Sequence, residues 1–413
     1  MNKKELYIFN GTSRAAVYGI GAYIDQLVKA IKDTEWKINI VYLYAQGDEI
    51  EITEKDGYRQ INIPFPSKNH PRAMQYYPMV VAYLLKDMIP ENKKTKYVFH
   101  LNFMTDSYFV KCLKKRFRCK VILVAHYTSW SFSLSGNVNR LKKLLQKPKK
   151  NLTDKSEKII IEGFNEDLKM ISQVDQLVCV ARHTWNVFHR IGKIPDGKTQ
   201  IISNALEDVY IPLSYKEKLL LRKKYLIEEN AKIVLFAGRL DEVKGIAGLI
   251  RSFRKVLKTN PDTYLLIAGE GNFNAWLKEA ADCWSRILFT GRLDKEKLYE
   301  LYCVADVGVV PSLHEEFGYV AIEMMMHALP VVVTKTGGLD EIVEDNISGL
   351  KVPVRTIKDH RQADEKCLTE KINYLLENPD SAKEMGKNGR KRFLEKYELS
   401  VFREKMLKLY NDL

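Results

Sequence analysis

Two glutamates, Glu315 and Glu323, stand eight residues apart in HEEFGYVAIE, with Phe317, Gly318 and Tyr319 between them. Carboxylates accept hydrogen bonds from hydroxyl groups, and the open backbone N–H groups at the start of a helix attract anions. The pattern predicts a helix that begins near Gly318 and ends before Pro330, so that Glu323 lies about a turn inside it and Glu315 in the loop before it. The N–H groups of Phe317, Gly318 and Tyr319 would then face a ligand. Two acids beside an anion site repel a phosphate unless each is aimed at hydroxyls on either side of it. A sugar nucleotide has that layout: ribose hydroxyls, diphosphate, sugar hydroxyls.

A second stretch, AGRLDEVKG (237–245), joins a planar cation, Arg239, to a mobile one, Lys244, between Gly238 and Gly245. Glycine lets the backbone approach a ligand, and the two cations suit a diphosphate. Taken alone, the stretch also reads as a solvated loop with two ordinary charges.

Such residues need strands to hold them. Apolar runs alternate with amphipathic stretches along the whole chain, which is the sign of βαβ units and parallel sheets. The first half offers LYIFNG (6–11), INIVYLYA (38–45), YVFHLNF (97–103), KVILVAH (120–126) and QLVCVA (176–181). The second offers KIVLFAG (232–238), TYLLIAG (263–269), RILFTG (286–291), VGVVPS (307–312) and PVVVT (330–334). Two doubly wound α/β domains are expected, residues 1–207 and 208–397, with the linker and hinge near 204–214. The amphipathic helix of residues 398–413 either closes the second domain or packs back on the first. Open α/β sheets bind ligands beyond the carboxyl ends of their strands. Gly19 and Gly21, His126, Gly238 and Arg239, Gly269, Gly271, and Glu315 to Gly318 all fall there.

AGRLDEVKG, IAGEG, FTG and above all EEFGYVAIE followed by ALPVVVTKTGG and Glu341 resemble the C-terminal domain of glycosyltransferase family 4. These are the retaining GT-B transferases also called glycosyl transferases group 1. The resemblance is strong from 232 to about 355 and weaker in the first half, where YGIGAYI, VDQLVCVA and IISNALEDVY carry it. It implies a GT-B architecture, two Rossmann-like domains facing a cleft, with the acceptor bound by the N-terminal domain and the nucleotide sugar by the C-terminal one. It assigns the E-x7-E pair to Glu315 and Glu323, the donor diphosphate to Arg239 and Lys244, and a place beside the transferred sugar to His126. Gly238, Gly269, Arg292, Phe317, Gly318 and Tyr319 complete the implied donor site, and Gly19 and Gly21 an N-domain loop. Three positions depart from the family pattern: Tyr18 replaces a glycine, Tyr127 an acid, and Ala205 the glycine of the usual Asn-Gly.

The implied activity is transfer of a sugar, with retention, from a UDP-type donor to an acceptor hydroxyl of a glycan, lipid-linked saccharide or peptide, as in polysaccharide biosynthesis. No D-x-D occurs in the chain, so the usual carboxylate platform for a divalent ion is missing and metal-independent transfer is expected, with no cofactor beyond the co-substrate. The runner-up enzyme is a GT-B-type nucleotide-sugar epimerase. A non-catalytic sugar-nucleotide-binding protein and a two-domain solute-binding protein are the readings from other classes.

Composition sets the limits. The 413 residues exceed one ordinary core, and 46% hydrophobic content describes a folding chain. A formal charge of +14 favours acidic partners such as nucleotides or anionic membrane. The most basic stretch, RLKKLLQKPKKNLTDKSEK (140–158), reads as a solvated loop or as a lipid contact; nucleic acid is not expected as a partner. Tyr127, Trp130 and Phe132, with Ser131 and Asn137, read equally as an acceptor pocket or a packed cluster. The six cysteines show no metal or disulfide spacing and read as reduced thiols. No run is long enough to span a bilayer and no export signal is read at the N-terminus, so a cytoplasmic protein is expected, with the inner face of the membrane as its peripheral site.

Overall fold

The computed structural model describes residues 3–11, 19–65, 72–89, 92–102, 107–148, 154–357 and 360–413; Tyr18, Phe103, Lys149 and Lys150 lie outside them. The chain forms two compact units, Met1–Ala205 with Leu399–Leu413, and Leu206–Glu398.

The first unit is built on β1 (Lys4–Asn10), β2 (Trp36–Ala45), β3 (Glu51–Lys55), β4 (Tyr58–Pro64), β5 (Lys96–Leu101), β6 (Cys119–Ala125), β7 (Gln176–Cys179) and β8 (Thr199–Ile201). Their order is β3-β4-β2-β1-β5-β6-β7-β8, and every pairing but β3 with β4 is parallel. Strand order reverses between β1 and β5. The helix Leu399–Asp412 buries Phe402, Met406, Leu409 and Tyr410, residues that share one helical face, and Phe402 meets Tyr23 of the helix Gly19–Ile31 at 5.6 Å. Tyr410 also donates or accepts a 2.7 Å hydrogen bond at His100 Nδ1, deep in the core.

The second unit holds β9 (Lys232–Ala237), β10 (Thr263–Ala268), β11 (Ile287–Gly291), β12 (Val307–Val310), β13 (Val331–Thr334) and β14 (Leu350–Val352), all parallel in the order β11-β10-β9-β12-β13-β14. An antiparallel pair, β15 (Val354–Ile357) and β16 (His360–Ala363), follows. Strands covered on both faces have no polar side to show, which is why β9, β12 and β13 read as unbroken apolar runs. The helix Ile246–Val256 buries Ile246, Leu249, Ile250, Phe253 and Val256 along one stripe. Here the order reverses between β9 and β12.

All ten expected strands are present. The basic stretch differs from expectation. Residues Val138–Gln146 and Lys155–Gln173 are helices, capped by the side chains of Asn137 and Asp154. Leu141 and Leu144 drive the first helix onto the core, and Lys147 pairs with Glu157 at 2.6 Å. All six cysteines are free thiols. No helix among the described residues is long and apolar enough to cross a membrane.

Candidate active site

At the reversal in the second unit, the loops after β9 and β12 rise side by side because their strands pair. Gly245 closes the first loop at φ +72, and a Cβ there would stand 2.1 Å from the Pro311 carbonyl oxygen, so only glycine fits. Leu313 N–H then donates to the Val243 carbonyl at 2.7 Å. The loop after β13 closes from the other side. Gly337, at φ +48, would place a Cβ 1.8 Å from the Glu315 carbonyl oxygen, and Gly338 N–H donates to that oxygen at 2.9 Å. Three strand-end loops are thereby fixed by backbone contacts.

Their side chains meet as an ion pair. The Lys244 ammonium donates to Glu315 Oε1, Ser312 Oγ donates to the same oxygen at 3.0 Å, and both charged side chains are only 18% exposed. Burial pushes the Glu315 carboxyl up, but Lys244 and Ser312 outweigh it and hold it below the usual range. The two residues expected to serve diphosphate and sugar separately therefore neutralise each other here. Arg239 lies nearer solvent and pairs with Asp241 at 3.2 Å.

The helix Tyr319–Met326 starts at Gly318, φ +123, with no side-chain cap hydrogen bond among the described residues, and its Ala321 N–H turns back to the Gly318 carbonyl at 3.1 Å. Phe317 turns its ring inward against Tyr319 and Tyr397, leaving its backbone to the loop. Glu323 lies one turn in and accepts from the Tyr302 hydroxyl at 3.0 Å. Burial, only partly offset by Lys295 and that hydrogen bond, raises its carboxyl above the ordinary value. Met324, Met325 and Met326 are core. On the far side of β9, Gly238 N–H donates to Ala268 and Gly269 N–H to Gly291, each at 2.9 Å, so the ladder runs past the strand ends; Arg292 follows, exposed. A cavity of about 480 Å³ lined by Tyr210, Leu220, Tyr299 and His327 holds none of these residues.

In the first unit, Gly19 and Gly21 stand in the first turn of the helix Gly19–Ile31 rather than in a loop. His126 follows β6, and its Nε2 lies 3.1 Å from Asn102 Oδ1. Asn102, at the end of β5, is the residue the sequence reading missed; its only signal was an asparagine closing an apolar run. Its Nδ2 donates to the Phe9 carbonyl at 3.2 Å. A carbonyl can only accept, so the amide nitrogen must face Phe9 and the amide oxygen must face His126. His126 therefore carries its proton on Nε2 and keeps a lone pair on Nδ1. Burial, and then His100, pushes this imidazole down to about 3, so it is a hydrogen-bond acceptor at neutral pH and a poor base. Nitrogen-15 spectra of histidine-labelled protein are expected to show His126 in the Nε2-protonated form, mixed with the other tautomer in Asn102→Ala; an Nδ1-protonated ring in the unaltered protein would refute the assignment. Trp130 is core, whereas Phe132 is half exposed beside Tyr127 at 5.8 Å, so the three aromatics do not form one packed cluster.

Residues 217–392 match the family model described as "Glycosyl transferases group 1". The matched stretch lies within the second unit. An uncharacterized glycosyltransferase of Methanocaldococcus jannaschii is 34% identical over 204 residues, 46% of this chain and 52% of that one. The chain spans about half the length of the curated relatives it matches. Among solved structures, sucrose-phosphate synthase from Thermosynechococcus elongatus superposes with a TM-score of 0.75 at 20% identity, covering 99% of this chain and 98% of that one. HepE from Anabaena, in complex with UDP and glucose, gives 0.72 at 15% identity over 99% of each chain. These likenesses show the fold: two Rossmann-like parallel-sheet domains, the fold class of the GT-B glycosyltransferases. The stretch that matches the family model begins two residues into the helix Tyr215–Lys224 and contains Arg239, Lys244, Glu315 and Glu323.

Proposed function

We propose that this protein transfers a sugar from a nucleoside-diphosphate sugar to an acceptor hydroxyl, with retention of anomeric configuration and without a metal ion or other cofactor. The observation that carries the reading is the Lys244–Glu315 pair, held by three strand-end loops at the β9/β12 switch point beside the uncapped start of the helix Tyr319–Met326. The UDP and glucose bound by HepE support a UDP-sugar as donor.

As the bond from the anomeric carbon to the diphosphate breaks, negative charge grows on the phosphate. Lys244 and Arg239, with the positive end of the helix Tyr319–Met326 beside them, supply a preorganised positive field for it. Glu315, released from Lys244 by the arriving diphosphate, accepts from hydroxyls of the donor sugar, and Glu323 from the ribose. The acceptor hydroxyl, brought by the N-terminal domain, attacks from the leaving-group face, and its proton passes to the departing phosphate oxygen. His126, too weak a base for that step, accepts a hydroxyl hydrogen bond at Nδ1.

Donor hydrolysis tests this without knowledge of the acceptor. A panel of nucleotide sugars is expected to yield one that releases nucleoside diphosphate and a free sugar of unchanged anomeric configuration, at the same rate in excess EDTA. Loss of activity with chelator and rescue by manganese would overturn the metal-independent mechanism, and an inverted product the retaining one.

A further inference from the structure

The first unit shows water an apolar face. On the helix Ala73–Met88, Tyr77, Val81, Ala82 and Leu85 pack inward, yet Met74, Tyr76, Val80 and Tyr83 are 57%, 49%, 38% and 57% exposed. Residues 76, 80 and 83 share one side of that helix. The helix Ser107–Arg116 continues the surface: Tyr108 is 42% exposed, Lys111 and Lys115 follow it on the same side, and the Arg116 guanidinium lies 3.6 Å over the Tyr83 ring. Residues 72–89 and 107–118 carry seven cations and one acid, Asp87; one of the cations, Lys114, pairs with Asp175.

We propose that this face is a docking surface for an anionic lipid bilayer. A contiguous exposed apolar patch marks an interaction site, and its chemistry selects the partner. Tyrosine has an apolar body and a polar tip, which suits the headgroup layer. Val80 offers no hydrogen bond and no ring face to a glycan, but it suits acyl chains. Lys111, Lys115 and Arg116 supply the attraction to anionic headgroups, with long stems that reach outward while the apolar residues sink. The helix Val138–Gln146 is as basic, but it buries Leu141 and Leu144 and has no exposed large apolar side chain among the described residues, so it can contribute charge and not insertion. This placement is independent of the reaction proposed above.

The test is co-sedimentation of the full chain with vesicles of phosphatidylcholine alone or with a third of phosphatidylglycerol, at low and high salt. The protein is expected to pellet only with the anionic vesicles, less so in high salt. Tyr76→Ser/Val80→Ser/Tyr83→Ser and Lys111→Glu/Lys115→Glu should each weaken binding by about 10-fold or more, since each lysine near such a surface is worth about 5-fold. Lys142→Glu/Lys143→Glu, which can alter only a charge contribution, should weaken binding less than either of these. Melting curves of the variants, all altered at exposed positions, show that they are folded. The proposal is overturned if the triple-serine variant pellets like the unaltered protein, if the Lys142/Lys143 variant alone abolishes binding, or if the unaltered protein stays in solution.

Discussion

Lys244→Ala is expected to lower turnover by roughly 100-fold or more, the usual loss when a preorganised electrostatic stabiliser is removed, and to destabilise the protein as well. The second effect follows from the ion pair. With Lys244 gone, Glu315 is a buried carboxylate left with the Ser312 hydroxyl and the nearby His314, and breaking one partner out of such a pair costs up to about 3–5 kcal/mol. The sign with pH is fixed by the direction of the shift. In the unaltered protein the Glu315 carboxyl lies below its ordinary value of 4.5, so its contribution is present above that pH and is lost as pH falls through the folded value. In Lys244→Ala burial acts almost unopposed and raises the carboxyl, so stability is lost as pH rises above 4.5. Urea unfolding between pH 4 and 8 should therefore show the gap between the two proteins widening with pH. Lys244→Ala/Glu315→Gln removes the buried charge and should recover much of the stability while turnover stays low. If the double variant regains turnover, Lys244 serves the fold and not the leaving group. Arg239→Ala supplies the contrast: its pair with Asp241 is half exposed and worth less than about 1 kcal/mol, so a comparable loss of turnover should come with almost no loss of stability.

The difference between these two cations was not legible in the sequence. Arg239 and Lys244 stand five residues apart in one motif and looked alike as diphosphate ligands. What separates them is Glu315, 71 residues further on, and the contact exists because β12 is inserted beside β9. The strands themselves were legible, since a run buried on both faces, such as VVVT at 331–334, is apolar throughout. The edge strand β3, EITEK, is exposed at every position and carries no such signal, while β8 and β14 are three residues long. Gly19 and Gly21 looked like a loop because two glycines in three residues disfavour a helix; the first turn tolerates them, and the following Tyr23, Ile24 and Leu27 bury the helix. Gly337 and Gly338 were part of the family resemblance, but their task, to let the Glu315 loop lie against the loop after β13, is visible only in the packing.

Glu315 and Glu323, the acids that framed the motif, should separate cleanly in binding measurements. Glu323, inside the helix, is proposed to hold ribose hydroxyls, which are present in every nucleotide. Glu323→Ala should then weaken the bare nucleoside diphosphate and the whole donor alike, by about 1.5–3 kcal/mol for a lost charged hydrogen bond. Because it also strips the buried Tyr302 hydroxyl of its acceptor, Glu323→Gln is the control that keeps that contact and tests the charge alone. Glu315 presents the opposite case. Before a ligand arrives, its carboxylate competes with any diphosphate for Lys244. Glu315→Gln ends that competition, so the bare diphosphate should bind as well as before or more tightly. Turnover and the discrimination among donor sugars should fall instead, because the sugar contacts are made only when a sugar is present. Calorimetric titration of each variant with nucleoside diphosphate and with nucleotide sugar, beside kinetics on several donors, reads both effects. If Glu315→Gln weakens the bare diphosphate as much as Glu323→Ala does, the division between sugar and ribose fails, and Glu315 is an organiser of the Lys244 loop: its loss would have displaced the cation rather than released it.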